Sequence, residues 1–254
     1  MPKGGWILAM MLGVAVSLPT LPVGAGTASD PEITDVAGDA NMINGQGLAP
    51  GLEETPDTRP ASVDSMDLIS VRFETSYDSR QIRDSEEGPV LRVEHVPVAL
   101  LVHIETQGPV RPTAAFTGQR YIISSNLPGC RAWFVMYVSP DGSSDDTAFR
   151  AIDRCGSLQE QEYLQMPADP LIEGSTSTLT FPFDFPKLDG VVEPGITISQ
   201  PVAYVINSYS TLGPAPQNIP RYDETAPGRA FVIGQDVPPD IDCISDPDHP
   251  GCQP

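Results

Sequence analysis

LISVRFET, Leu68–Thr75, alternates between apolar and polar residues. Ile69, Val71 and Phe73 fall on one side of it, and Ser70, Arg72 and Glu74 on the other. A period of two belongs to a strand with one buried and one wet face. Working outward, VALLVHIET (Val98–Thr106) repeats the pattern, with Leu100, Val102 and Ile104 inward and His103 and Glu105 outward. STLTFPFDF (Ser177–Phe185) aligns Leu179, Phe181, Phe183 and Phe185, and its Pro182 restricts it to a sheet edge or a bulge. AWFVMYV (Ala132–Val138) is apolar throughout, as expected of a central strand covered on both faces, which assigns Trp133 to the core. TISQPVAYVINSY (Thr197–Tyr209) and RAFVIG (Arg229–Gly234) complete the strand set.

Helical signals are poor. SLQEQEYLQM (Ser157–Met166) carries strong helix formers, but its apolar positions settle no period. The 28 prolines and 22 glycines punctuate short apolar runs, so the chain reads as many strands joined by turns. The expected fold is an all-β antiparallel β-sandwich, jelly-roll or Greek-key-like, with long loops such as Gly45–Asp64.

Residues 1–28 read as a signal peptide: Lys3, an uncharged run WILAMMLGVAVSL (Trp6–Leu18), then small residues suited to cleavage. That run is shorter than the roughly 20 residues of a membrane-spanning helix. The expected mature chain has no membrane span and is secreted or held at the cell envelope, with the sandwich over 29–234 and a proline-rich tail over 235–254. The formal net charge of −20 repels nucleic acid and anionic lipid. It suits cations, cationic partners or plain solvation. Four cysteines in an exported chain imply two disulfides, and proximity favours Cys130–Cys155 and Cys243–Cys252 among three pairings.

Just before the strand region lies DVAGDANMINGQG, Asp35–Gly47. Calcium takes roughly six to eight oxygens from carboxylates, amides, carbonyls and water. Asp39 and Asn41 share a side in an extended segment, and a turn at Gly38 folds Asp35 back. Asp64 and Asp67 of VDSMDLISV would close the set from the neighbouring strand. The spacing is not that of an EF-hand. The competing reading has these aspartates capping turns by bonding nearby backbone N–H groups.

ITDVAGDAN, a Gly/Pro-rich loop, and then MDLISVRFET together resemble the opening of a class of secreted bacterial β-sandwich modules. Its members begin D-P-x-G-D and enter the first long strand through an acidic residue. They include DOMON-like and family-nine-like carbohydrate-binding modules and the C-terminal module of glucodextranase-type enzymes. Val36 stands where the pattern has proline. The resemblance implies a structural calcium ion on Asp35, Asp39 and Asp67, with Asn41 and Asp64 behind them. It extends in outline through MYVSPDGSSDDTAFRAI (Met136–Ile152), where Asp141, Asp145 and Asp146 read as a solvated hairpin tip or a second cation site.

Few residues are of a type that carries a catalytic signature. The three histidines, His95, His103 and His249, sit in no G-x-S-x-G or H-E-x-x-H context, and there is no phosphate-binding glycine loop. A glycosidase carboxylate pair is not distinguishable among 34 acids. For a sugar face, aromatic rings matter, because a flat ring buries much area at low entropic cost. Tyr209 and Tyr222, flanking STLGPAPQNIPR, are the expected exposed pair. The leading expectation is a non-catalytic binding module, carbohydrate-binding by resemblance, whose partner is an extracellular glycan or an envelope protein. The alternatives are a structural accessory protein of the envelope and an extracellular polymer hydrolase.

Overall fold

The computed structural model describes residues 30–37, 66–109, 118–139, 146–166, 177–188, 190–207 and 221–253. Twelve strands lie within them. They are β1 (Ile33–Thr34), β2 (Leu68–Arg83), β3 (Val90–Thr106), β4 (Gln119–Leu127), β5 (Cys130–Val138) and β6 (Asp146–Ala151). There follow β7 (Tyr163–Met166), β8 (Thr178–Asp184), β9 (Thr197–Asn207), β10 (Arg221–Glu224), β11 (Phe231–Val232) and β12 (Ile241–Asp242). Two antiparallel sheets pack face to face as a β-sandwich. The five-stranded sheet runs β1-β2-β3-β12, with β8 also on β3; the seven-stranded sheet runs β10-β9-β4-β5-β6-β7, with β11 also on β9.

The core is built from the inward residues of both sheets. Val71, Phe73, Leu100, Val102, Ile104, Leu179, Phe181 and Phe183 meet Tyr121, Ile123, Phe134, Met136, Phe149, Val205 and Phe231, all buried. Aromatic rings bridge the sheets, Phe73 to Phe231 at 5.7 Å and Phe134 to Phe183 at 5.1 Å between centroids. Edge-to-face and tilted pairs of this kind add to the area they bury. Tyr121 donates its hydroxyl to Gln119 Oε1 at 2.6 Å, which satisfies a phenol that burial holds well above its ordinary pKa.

The alternation read in β3 holds, with Leu100, Val102 and Ile104 buried. In β2 it slips at the start. The register shifts between Leu68 and Ser70, so Leu68 is buried and Ile69 is only half-buried. A bulge adds one residue and moves the phase of everything before it. Pro182 stands opposite Leu101 in β8, which pairs with β3 alone among the described residues. SLQEQEYLQM forms no helix: Cys155 and Leu158 bridge across a turn, and β7 follows. The C-terminal tail is drawn into the five-stranded sheet by β12, and Cys243 and Cys252 pack with Val90 and Val93.

Both disulfides join the nearer cysteines, Cys130 to Cys155 and Cys243 to Cys252. Among the described residues no helix is long and apolar enough to cross a membrane. The expected signal peptide, residues 1–28, lies outside the described residues.

Candidate functional site

The two outer faces differ. On the five-stranded sheet the outer face is polar. Arg72 stands opposite His103, and His103 opposite Thr180. His103 Nδ1 lies 2.9 Å from Thr180 Oγ1 and its Nε2 lies 3.2 Å from Glu74 Oε2, which also takes Arg72 Nη1 at 2.5 Å. Burial, helped by the Arg72 charge, holds the His103 pKa below its ordinary value, although Glu74 pulls the other way. At neutral pH the His103–Glu74 contact therefore joins a carboxylate to an uncharged ring. Burial pushes the Glu74 carboxyl up, but Arg72 and His103 outweigh it and leave the pKa lowered.

The outer face of the seven-stranded sheet is aromatic and aliphatic. Ile122, Val135, Ala148, Tyr204 and Ile206 form a second apolar cluster there, with Trp133 and Tyr163 packed against it. Strand pairing explains the set. Phe134 and Met136 point into the core, so Trp133 and Val135 point out. Ser124 stands between Trp133 and Val202, and Tyr204 lies between Ile122 and Glu224. The small Ser124 side chain leaves a hollow of about 260 Å³, lined by Trp133, Tyr204, Val202, Ile152, Arg131 and Glu224. Trp133 meets Tyr204 edge-on at 6.1 Å. The Arg150 guanidinium sits 5.0 Å from the centre of the Trp133 ring and is itself held by Gln161. A cation over an indole face fixes the ring's orientation. On the rim, Arg131 binds Asp153 at 3.0 Å, which raises the arginine pKa and lowers that of the carboxylate.

Trp133 thus lies outside the core between the sheets; it is half-buried and packs against the second apolar cluster. A strand apolar on both faces is the same string whether its outer face meets a second layer or a shallow hollow. The signal that finds it is alternation relative to Ala132, Phe134 and Met136. Of the expected exposed pair, Tyr209 lies outside the described residues and Tyr222 lies on β10.

At the chain's opening, β1 pairs with β2 and Asp35 N donates to Ile69 O at 2.9 Å. That pairing seats Asp35 beside the entry to β2, where Asp67 is buried at 1% exposure. The backbone next to Asp67 is held by a carboxylate unforeseen from sequence: Asp223 Oδ2 accepts from Leu68 N at 2.6 Å and its Oδ1 from Glu224 N at 2.8 Å. Asp35 Oδ1 accepts from Val36 N at 2.9 Å, as in a capped turn. Asp39, Asn41 and Asp64 lie outside the described residues, as do Asp141 and Asp145. Among the described residues no group of three or more His, Cys, Asp or Glu is arranged to hold a metal ion.

The histidines are placed in structural roles. His95 Nδ1 lies 3.1 Å from Pro239 O, and His249 Nδ1 accepts from Gly251 N at 3.1 Å. Fold and hollow together define the class: a two-sheet β-sandwich that carries an aromatic hollow on one outer face. No family model, curated protein or solved structure matches the chain.

Proposed function

We propose that this chain is a secreted, non-catalytic binding module that takes a carbohydrate on the outer face of its seven-stranded sheet. The observation that carries the reading is the hollow over Ser124, walled by Trp133 and Tyr204 and rimmed by Arg131 and Glu224. A sugar ring has an apolar C–H face and a polar edge. Aromatic walls suit the first, and charged hydrogen-bonding groups at the rim suit the second. The hollow is small against the roughly 300–1,000 Å³ of drug-sized pockets, so it suits one ring of a glycan rather than a whole chain. Among the described residues one carboxylate, Glu224, lines it, whereas glycoside hydrolysis uses two, and this supports binding over cleavage. The reading includes a calcium ion at the β1–β2 opening. Asp35 and Asp67 would contribute to its shell, with Asp39, Asn41 and Asp64.

Glycan titration followed by tryptophan fluorescence tests the carbohydrate reading. Trp133 and Trp6 are the chain's two tryptophans, and Trp6 falls in the expected signal peptide. A saturable emission change with some glycan, lost in Tyr204→Ala, is the expected outcome; Trp133→Ala removes the reporter ring, so its loss of binding is read as lost retention on a column of the same glycan. A broad glycan panel that leaves Trp133 emission unchanged, and is retained on no glycan column, would overturn it.

A further inference from the structure

β2 and β3 form an arm longer than the other strands, with 16 and 17 residues. The two edges of this arm are finished differently. The outer edge of β3 is covered by β8, by β12 and by Asp240, whose Oδ1 accepts from His95 N at 3.0 Å. The outer edge of β2 is closed only in its first half. β1 pairs at Ser70 and Val71. Beyond it Glu32 Oε2 accepts from Phe73 N at 2.9 Å, and Asp236 Oδ2 from Thr75 N at 2.7 Å. From Tyr77 to Ile82 every residue is exposed, and no strand pairs with that edge among the described residues. Phe73 and Thr75 have outward N–H groups, and N–H direction alternates along a strand. Tyr77, Ser79 and Gln81 therefore present N–H and C=O groups outward that have no partner among the described residues.

We propose that this edge pairs antiparallel with the same edge of a second copy of the chain, about a two-fold axis at Ser79. The charges select both the occupant and the register. Asp78 and Arg80 are exposed and share one face, and neither has an ion pair within the described residues. Glu94, opposite Arg80 in the arm, is occupied by Arg92. An axis at Ser79 places each Asp78 opposite the partner's Arg80, two matched pairs per dimer. An axis at Asp78 or at Arg80 would oppose like charges, which is unfavourable directly across a ladder. Ser79 is also the midpoint between Thr75, where the carboxylate cap stops further pairing, and Arg83, where the hairpin turn begins. A closed, isologous contact follows, and the five-stranded sheets continue through the dimer. The inference is independent of the carbohydrate reading.

Sedimentation of the full chain from micromolar to millimolar concentration tests it. The expected result is a reversible monomer–dimer equilibrium that weakens in molar salt. Asp78→Arg alone and Arg80→Asp alone should each weaken association by about tenfold, since each turns two attractive pairs into repulsive ones. The double variant Asp78→Arg/Arg80→Asp should restore it. Both substitutions fall at exposed positions, and circular dichroism confirms the fold of each variant. A chain that stays monomeric throughout would overturn the proposal. So would a dimer that survives both single reversals, or one that the double reversal fails to restore.

Discussion

Trp133 shows what a single residue can hide. It sits in the apolar run Ala132–Val138, so composition assigns it to the core, yet strand pairing turns it outward beside Tyr204. Replacing it separates recognition from folding. Trp133→Phe keeps a flat ring and should retain glycan binding within a few-fold. Trp133→Ala should lose binding by about tenfold or more, since an aromatic contact is worth roughly 0.5–1.5 kcal/mol beyond its buried area. Isothermal titration of the two variants reads the difference. His103 makes a second prediction at this scale. Its folded-state pKa is depressed, so the unfolded chain takes up this proton first. The stabilisation is complete above the ordinary value of 6.5 and is lost as pH falls from there through the lower folded-state value. Glu74, also depressed, adds a loss that begins only below its ordinary 4.5. Urea midpoints measured from pH 7 down to 5 should fall in the parent and fall less in His103→Gln. Equal slopes would mean that His103 titrates alike in both states.

At the scale of elements, carboxylates act in place of strands. Asp223 caps Leu68, Glu32 caps Phe73, Asp236 caps Thr75 and Asp240 caps His95, each through a backbone N–H on an outer strand edge. A buried N–H without a partner costs as much as a lost hydrogen bond, and more when the partner was charged. Part of the chain's acidity is therefore structural. Glu32 is the most buried of these caps near the N-terminus, at 3% exposure, and its carbonyl also accepts from Arg229 N at 2.8 Å. Gly228 permits that approach, for a Cβ there would lie 2.5 Å from the Glu32 carbonyl oxygen. Glu32→Ala should cost about 1–3 kcal/mol in urea unfolding, with Phe73 N–H left unsatisfied. A change under about 0.5 kcal/mol would show that water replaces the carboxylate freely. None of these caps was legible in the sequence, because each joins residues 40 or more apart. The strands themselves were legible wherever alternation was unbroken. They failed at Leu68–Ser70, where a bulge resets the phase, and in Ser157–Met166, where helix formers serve a turn and a short strand.

For the whole molecule, closure is the governing feature. Segments from both ends of the chain finish the sandwich: β1 and Glu32 on the β2 edge, and β12 with the Cys243–Cys252 loop on the β3 edge. Arg229 ties the N-terminal segment down through Asp30 at 3.1 Å and through the carbonyls of Asp30 and Pro31. A calcium ion at the β1–β2 opening would add to this closure. Ligand held only by the folded chain stabilises it by about 2.7 kcal/mol at a hundredfold excess over Kd. Thermal unfolding in millimolar calcium should then exceed that in EDTA by several degrees, as expected for a domain of this size. Coincident transitions would return Asp35 and Asp67 to capping and edge roles.

Local pattern along the chain was enough for the architecture. Period-two alternation, pervasive turn residues and paired cysteines are local signals, and they led to an antiparallel sandwich with both disulfides between neighbouring cysteines. Which apolar face lies between the sheets and which carries the hollow, which carboxylates cap strand edges, and where an edge stays open follow from the packing of the two sheets. Those properties depend on which strands become neighbours. Register across distant segments is set by packing two sheets together, and no window along the chain contains it.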